Sequence, residues 1–68
     1  MTNSEILMYQ SCKKPVELNN NCKIENGIEN DEIFTINTVI KDFEQLELVN
    51  QYGQFVIINP NQIINESI

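Results

Sequence analysis

Histidine, tryptophan, arginine and alanine are all absent from the 68-residue sequence. Histidine is the commonest general base and metal ligand in proteins, so its absence removes many hydrolytic and metal-dependent mechanisms. The serines stand in no nucleophile-elbow or triad context, and the carboxylates of Glu44 and Glu47 fit a solvated turn better than an acid–base pair. The sequence therefore predicts a protein that is not an enzyme and that holds no cofactor or metal.

Positive charge is also scarce. Four lysines stand against ten Asp and Glu residues, which gives a formal net charge of −6 at pH 7 and a pI near 4.2. A nucleic-acid-binding protein needs a basic surface that displaces counterions from phosphates, and this chain cannot build a large one. Nucleic acid is therefore disfavoured as a ligand, whereas a basic patch on a partner protein would suit the acidic chain.

The chain has two cysteines, Cys12 and Cys22, and no stretch that resembles a signal peptide or approaches the roughly 20 apolar residues of a membrane span. The simplest interpretation is a cytoplasmic protein with reduced thiols and no membrane association. A Cys12–Cys22 disulfide in an oxidising compartment is the alternative, and a zinc site would need both cysteines from each of two chains. Lys13 and Lys14 would favour a reactive thiolate at Cys12. The interpretation that we prefer for both Cys12 and Cys22 is a small buried or half-buried apolar residue.

Isoleucine and asparagine dominate the composition. β-branched side chains favour strands and Asn favours turns, so the composition indicates a mainly β protein. The length allows one domain with a small core. Within residues 1–68 we distinguish an N-terminal segment (1–15), a β region (16–64) and a tail (65–68) that we expect to fray. The codons of Ile, Asn, Lys and Glu are AT-rich, as in some bacterial and phage genomes.

The residue pattern in the N-terminal third of the chain predicts a short helix followed by two short strands. Residues 3–5 form an N-cap region, the helix would turn Ile6, Leu7 and Tyr9 inward, and Pro15 would stop it, although a first strand is the alternative.

Residues 16–18 and 22–25 alternate apolar and polar side chains, which is typical of half-buried strands. Residues 19–21 would turn between them, and Asn26-Gly27 would form the next turn. Cys22 and Ile24 would then share one face.

Residues 33–59 predict three consecutive antiparallel strands. The first carries apolar residues on both faces, so we expect it to bend. Gly53 would close the second hairpin, and Pro60 would end the third strand before a 3₁₀ turn and a short final strand at 63–64. The inward side chains are predicted to be Phe34, Ile36, Ile40, Leu46, Leu48, Phe55 and Ile57.

The order of these segments resembles small SH3-like and Sm-like barrels, in which a long bent strand is followed by a tight hairpin, another strand, a 3₁₀ turn and a short last strand. The resemblance rests on residues 34–40, 46–48, 53–57 and 60–64. It implies a partly open, mainly β barrel, and no function, because many functions use such barrels. The loops here are acidic or Asn-rich, whereas barrels of this kind that bind RNA carry basic or aromatic loops.

Negative charge is concentrated in the predicted sheet and its loops. An acidic surface of this kind could imitate nucleic acid and occupy a basic groove on a partner protein, or it could be a solvated face. The segment 29–32 lacks the ligand spacing of an EF-hand calcium loop. The residues predicted to contact the partner are Glu25, Glu29, Asp31, Glu32, Asp42, Glu44 and Glu47.

We therefore expect a non-enzymatic acidic protein-binding module, such as a small phage or mobile-element inhibitor that covers a basic surface. The alternative is a structural or assembly protein that forms a homodimer or larger homo-oligomer through an apolar strand face. Five apolar residues out of phase with the predicted core would form that face: Ile33, Val39, Val49, Val56 and Ile58.

Overall fold

The computed structural model describes residues 1–65. Two helices, α1 (Asn3–Cys12) and α2 (Asn20–Asn26), precede the strands β1 (Phe34–Ile40), β2 (Gln45–Asn50) and β3 (Phe55–Ile58), and a 3₁₀ helix (Pro60–Gln62) follows. The predicted antiparallel meander is confirmed, with the strand order β1-β2-β3. Helix and strand occur in similar amounts, so the prediction of a mainly β protein is wrong in that respect.

A capping box starts α1. The main-chain N–H of Glu5 donates to the Thr2 hydroxyl (3.2 Å), and the N–H of Thr2 donates to the Glu5 carboxylate (2.8 Å), so two N–H groups at the helix start are satisfied. The helix ends at Lys13, which is left-handed, two residues before Pro15. Ile6 and Tyr9 are buried as predicted, whereas Leu7 is 49% exposed and does not face the core.

Glu5→Gln is expected to remove an acid-sensitive contribution to stability. Hydrogen bonds from the main chain and the side chain of Thr2 lower the pKa of the exposed Glu5 carboxyl from its ordinary value of 4.5. A lowered folded-state pKa contributes stability that is present above the unfolded pKa and is lost as the pH falls through the folded pKa. The melting temperature should therefore drop less between about pH 6 and about pH 3 in the variant than in the native chain. The same substitution at exposed Glu44 is the control, and an equal drop in native chain and variant would contradict the prediction.

Helix α2 replaces the predicted turn and strand at residues 19–25. The Asn19 side chain accepts a hydrogen bond from the N–H of Cys22 (2.8 Å), and Gly27 ends the helix in the left-handed conformation (φ 64°). Caps at both ends stabilise two helical turns although Asn is a weak helix former. Cys22 is fully buried and Ile24 is 79% exposed, so the prediction that they share one face is wrong.

Strand β1 contains a bulge, which accounts for the predicted bend. Ile36 pairs with Leu48, but Val39 pairs with Leu46, so one extra residue is inserted in β1 between these pairs. The insertion reverses the alternation of side chains, and Val39 packs against the core. Ile40, which was predicted to face inward, is on the opposite face from Val39.

The facing of β3 is opposite to the prediction. Ile58 pairs with Leu46 and Val56 pairs with Leu48, which puts Val56 and Ile58 on the core side. Phe55 and Ile57 consequently point to the other face, where they are 61% and 53% exposed. Four consecutive apolar residues have no alternation of their own, so the β2–β3 turn and the register decide their facing.

The helices and the sheet enclose one hydrophobic cluster. Outside the named strands, Val16 bridges to Phe34 and Leu18 bridges to Ile63, which replaces the predicted strands at 16–18 and 63–64 with isolated pairs. Residues 1–65 therefore form a three-stranded sheet covered by helices, and they do not show a clear barrel. The buried apolar residues are Ile6, Tyr9, Val16, Leu18, Cys22, Phe34, Ile36, Leu46, Leu48, Ile58 and Ile63.

The predicted tail begins with an anchored residue. The Asn65 side chain accepts a hydrogen bond from the main-chain N–H of Glu17, and the prediction that residue 65 frays stays a prediction. The prediction for residues 66–68 lies outside the described residues.

Candidate protein-binding surface

Three of the seven predicted acidic residues converge on one surface cleft. Glu29, Asp31 and Glu32 belong to the loop between α2 and β1, and they line a cleft of about 750 Å³ together with Tyr52 and Phe55. We call this the acidic cleft. It combines three carboxylates with two aromatic side chains that are more than half exposed, at the end of the sheet where β3 begins.

Polar contacts tie the acidic loop to the β2–β3 turn. The Gln51 side chain donates to the main-chain carbonyl of Asp31 (2.8 Å) and accepts from the N–H of Ile33 (2.7 Å). The Glu32 carboxylate accepts from the N–H of Glu29 (2.6 Å). These bonds use main-chain groups and Glu32, and the side chains of Glu29 and Asp31 stay exposed to solvent.

Asn50 joins the cleft to the core. Its side-chain oxygen accepts from the N–H groups of Tyr52 (3.0 Å) and Gln54 (2.9 Å). Its side-chain nitrogen donates to the carboxylate of Glu32 (2.7 Å) and to the side chain of Gln54 (3.0 Å). Asn50 is only 6% exposed, so its hydrogen bonds join the β2–β3 turn to the acidic loop at a position that is largely shielded from solvent.

The sequence pattern did not single out Asn50 and Gln51 as site residues. Residues 50–53 indicated a turn, and an Asn that begins a turn commonly accepts main-chain hydrogen bonds, as Asn50 does. The bonds from Asn50 to Glu32 and from Gln51 to Asp31 span 18 and 20 residues of sequence, and no local pattern predicts them.

The other four predicted acidic residues lie elsewhere. Asp42 and Glu44 are in the β1–β2 turn, at the other end of β1, which is roughly 20 Å long at about 3.3 Å per residue. Glu47 is on the sheet face opposite the core and accepts from the side chain of Asn37 (2.8 Å). Glu25 is exposed on α2 and does not line the acidic cleft. Four of the seven carboxylates therefore lie outside the acidic cleft.

The sheet face opposite the core carries exposed apolar side chains. Phe55 and Ile57 lie on it, with half-buried Val49 paired opposite Phe55, and we call these three residues the outer apolar face. Of the residues predicted to be out of phase with the core, exposed Ile33 and half-buried Val49 fit that prediction. It is wrong for Val39, Val56 and Ile58, which pack against or within the core.

Both thiols are free. Cys12 is exposed on α1, so the prediction of a buried or half-buried residue is wrong there. Cys22 is buried among apolar side chains, as predicted. Burial raises the pKa of the Cys22 thiol, which disfavours a reactive thiolate there.

In residues 1–65, no group of three or more His, Cys, Asp or Glu side chains is placed to hold a metal ion. Over the same residues, none of the helices has the length and apolar character needed to cross a membrane.

Comparison with known proteins does not identify a family or a function for this surface. The chain matches no protein-family profile, no curated protein and no solved structure.

Proposed function

We propose that the chain is a non-enzymatic protein-binding module whose acidic cleft occupies a basic surface of a partner protein. The observation that carries the proposal is the convergence of Glu29, Asp31 and Glu32 with Tyr52 and Phe55 on one cleft. Carboxylates attract Lys and Arg side chains, and exposed aromatic rings add apolar area and cation–π contacts to the same cations. The cleft thus supplies both charge and contact area for a basic side chain.

The acidic cleft limits the predicted partner-binding surface to three of the seven acidic residues. Seven carboxylates spread over one face would imitate a phosphate backbone, but Asp42 and Glu44 are at the far end of the sheet. Recognition of a few basic side chains in one cleft needs only the three carboxylates that converge there. A net charge of −6 would still accelerate association with a basic protein through long-range attraction.

The proposal also covers the biological role of the protein and its fold. An inhibitor of phage or mobile-element origin, acting in the cytoplasm, is the biological role that we favour. Its support is the small size, the acidity and a composition rich in amino acids, such as Ile and Asn, that have AT-rich codons. An SH3-like partly open barrel is the fold that we favour, and its support is the pair of bridges that place residues 16–18 between β1 and Ile63.

The test compares two double variants with the same change in charge. Glu29→Gln with Asp31→Asn, and Asp42→Asn with Glu44→Gln, each change the net charge from −6 to −4 by removing two carboxylates. The tagged chain is used to recover proteins from its host's lysate at about 50 mM and about 500 mM salt, and recovery is read by mass spectrometry.

A basic protein should be recovered at low salt and lost at high salt, because salt screens exposed charges. The cleft variant should bind it about tenfold more weakly, and the turn variant should change affinity by less than about twofold. Equal losses in both variants would show that overall charge, and not the cleft, determines binding. Binding that is independent of salt would contradict the electrostatic proposal.

The outer apolar face favours a second candidate function, a structural or assembly protein that forms a homo-oligomer. Phe55 and Ile57 expose apolar area next to Val49, and burying such an area in a second subunit would enlarge a small core. The mass in solution separates the two candidates, since a particle of 7.9 kDa at high concentration would exclude the homo-oligomer.

A further inference from the structure

Strand β3 has an edge with no partner in the part of the chain that the structure describes. Its residues pair with β2 on one side, and neither isolated bridge involves them. The opposite edge of the sheet is different, because the N–H of Val16 donates to the carbonyl of Phe34 (2.9 Å) and the Gln10 side chain donates to the carbonyl of Asn37 (2.9 Å). The fold thus covers the β1 edge and leaves the β3 edge open.

The hydrogen-bond pattern identifies the main-chain groups on the open edge. The N–H of Asn50 donates to the carbonyl of Gln54 (3.0 Å), so Asn50 and Gln54 form a hydrogen-bonded pair. Hydrogen-bonded and non-hydrogen-bonded pairs alternate along antiparallel strands, so Val56 and Ile58 direct their main-chain groups at β2. The N–H and carbonyl groups of Phe55 and Ile57 therefore point away from the sheet.

Nothing in β3 protects this edge against another strand. Natural sheets block open edges with Lys, Pro, bulges or covering loops, and Phe55–Ile58 contains no charged residue, no Pro and no bulge. The next outward N–H, that of Asn59, already donates to the side chain of Gln62 (2.9 Å). The open edge is thus a short, defined template of two donors and two acceptors.

The open edge runs directly into the acidic cleft, which Gln54, Phe55 and Val56 help to line. A strand paired with β3 would advance about 3.3 Å per residue, so a long side chain one or two residues beyond Phe55 would reach the carboxylates of Glu29 and Asp31. Lys and Arg are the side chains whose length and charge suit that position. Two independent features, main-chain groups and charge, therefore select the same occupant.

We propose that the open edge of β3 binds an extended segment of the partner protein as a fourth strand, with a Lys or Arg of that segment seated in the acidic cleft. The inference rests on the proposed function, and it adds the binding mode and the character of the recognised segment. Strand addition gives affinity through main-chain hydrogen bonds, and side-chain pockets give specificity. A second copy of this chain fits less well, because β3 contains no Lys or Arg to place in the cleft.

The test uses a ten-residue peptide of alternating arginine and threonine as the probe, with the same peptide carrying glutamate in place of arginine as its control. Fluorescence anisotropy measures affinity for the native chain, and amide hydrogen exchange followed by NMR locates the contact. The arginine peptide should bind, and it should slow exchange at the amides of Phe55 and Ile57 by at least about tenfold. The glutamate peptide should not bind measurably.

Ile57→Pro tests the edge itself. Proline removes the outward N–H of residue 57 and leaves the bonds between β2 and β3 in place, since those come from Val56 and Ile58. The variant should bind the arginine peptide at least about tenfold more weakly, with circular dichroism confirming its fold. If the variant fails to fold, the exchange measurement on the native chain decides the proposal alone.

The results separate this proposal from the proposed function. Undiminished affinity in Ile57→Pro, or a bound peptide without protection at Phe55 and Ile57, would overturn strand addition. If Glu29→Gln with Asp31→Asn still weakened binding in that case, the acidic cleft would remain the binding surface. The proposal would also be overturned if the arginine peptide did not bind, or if a dimer without peptide already protected the amides of Phe55 and Ile57. In either case the lysate experiment would test the proposed function separately.

Discussion

Leu48→Ala is expected to lower the free energy of unfolding by about 3–4 kcal/mol, the largest effect that we predict for a substitution in the core. Leu48 is fully buried in the central strand, and its partners across the sheet are Ile36 on β1 and Val56 on β3. Truncation would leave a cavity between neighbours that the sheet holds in place. A domain of this size has only about 3–10 kcal/mol in total, so the variant should be largely unfolded at about 37 °C.

Urea denaturation followed by circular dichroism measures this loss, and Leu7→Ala is the matched control. Leu7 carries the same side chain on α1 but is half exposed, so its truncation should change the free energy of unfolding by less than about 0.5 kcal/mol. Equal losses for the two variants would contradict the placement of Leu48 at the centre of the core.

Asn50→Asp is expected to lower the free energy of unfolding by about 3 kcal/mol at neutral pH. The substitution keeps the oxygen that accepts from the N–H groups of Tyr52 and Gln54. It removes the N–H₂ group that donates to Glu32 and puts a second carboxylate next to it in a buried position. Two like charges this close cannot both be ionised without a large cost.

The pH dependence of the Asn50→Asp variant distinguishes this cause from simple loss of packing. The carboxyl introduced at position 50 would have a raised pKa in the folded state, because burial and Glu32 both disfavour its charge. The folded state then binds more protons than the unfolded state, so the variant should regain stability relative to the native chain as the pH falls through that raised pKa. Urea denaturation of both proteins across the acid range measures this recovery.

Asn30→Asp is the control for charge alone. Asn30 is exposed in the same loop, so it adds the same charge near the acidic cleft without burial. We expect a change of less than about 0.5 kcal/mol at neutral pH. If Asn30→Asp destabilised the protein as much as Asn50→Asp, the total negative charge of the loop would explain the loss, and the buried network of Asn50 would not.

The acidic site could be predicted from the sequence in part. Glu29, Asp31 and Glu32 are close in sequence, so their proximity follows from the chain itself. Their association with Tyr52 and Phe55 depends on Asn50 and Gln51, whose bonds to Glu32 and Asp31 form only when the meander has assembled. In the sequence, Asp42 and Glu44 are acidic loop residues like those of the cleft. They lie at the other end of the sheet because β1 separates them from the cleft.

Local chemistry in the sequence determined where several elements begin and end. Pro15 follows α1 closely because the residue before a proline avoids helical conformation, and Pro60 follows β3 because proline cannot donate to a ladder. The alternation of Leu46 and Leu48 with Glu47 likewise determined the facing of β2. Each of these features depends on residues within a few positions of one another.

Tertiary structure decided the facing of β3 and the open edge, and it acted together with local caps to decide α2. Residues 22–25 alternate like a strand, but the caps at Asn19 and Gly27 and the burial of Cys22 make a helix the better solution. Residues 55–58 are apolar throughout, so the register with β2, set by the turn that Asn50 organises, chose which two side chains enter the core. A local sequence pattern determines the periodicity of a helix or strand and the residues at which it ends. The facing of a strand and the pairing of its edge depend instead on the energies of contacts between segments that are distant in sequence.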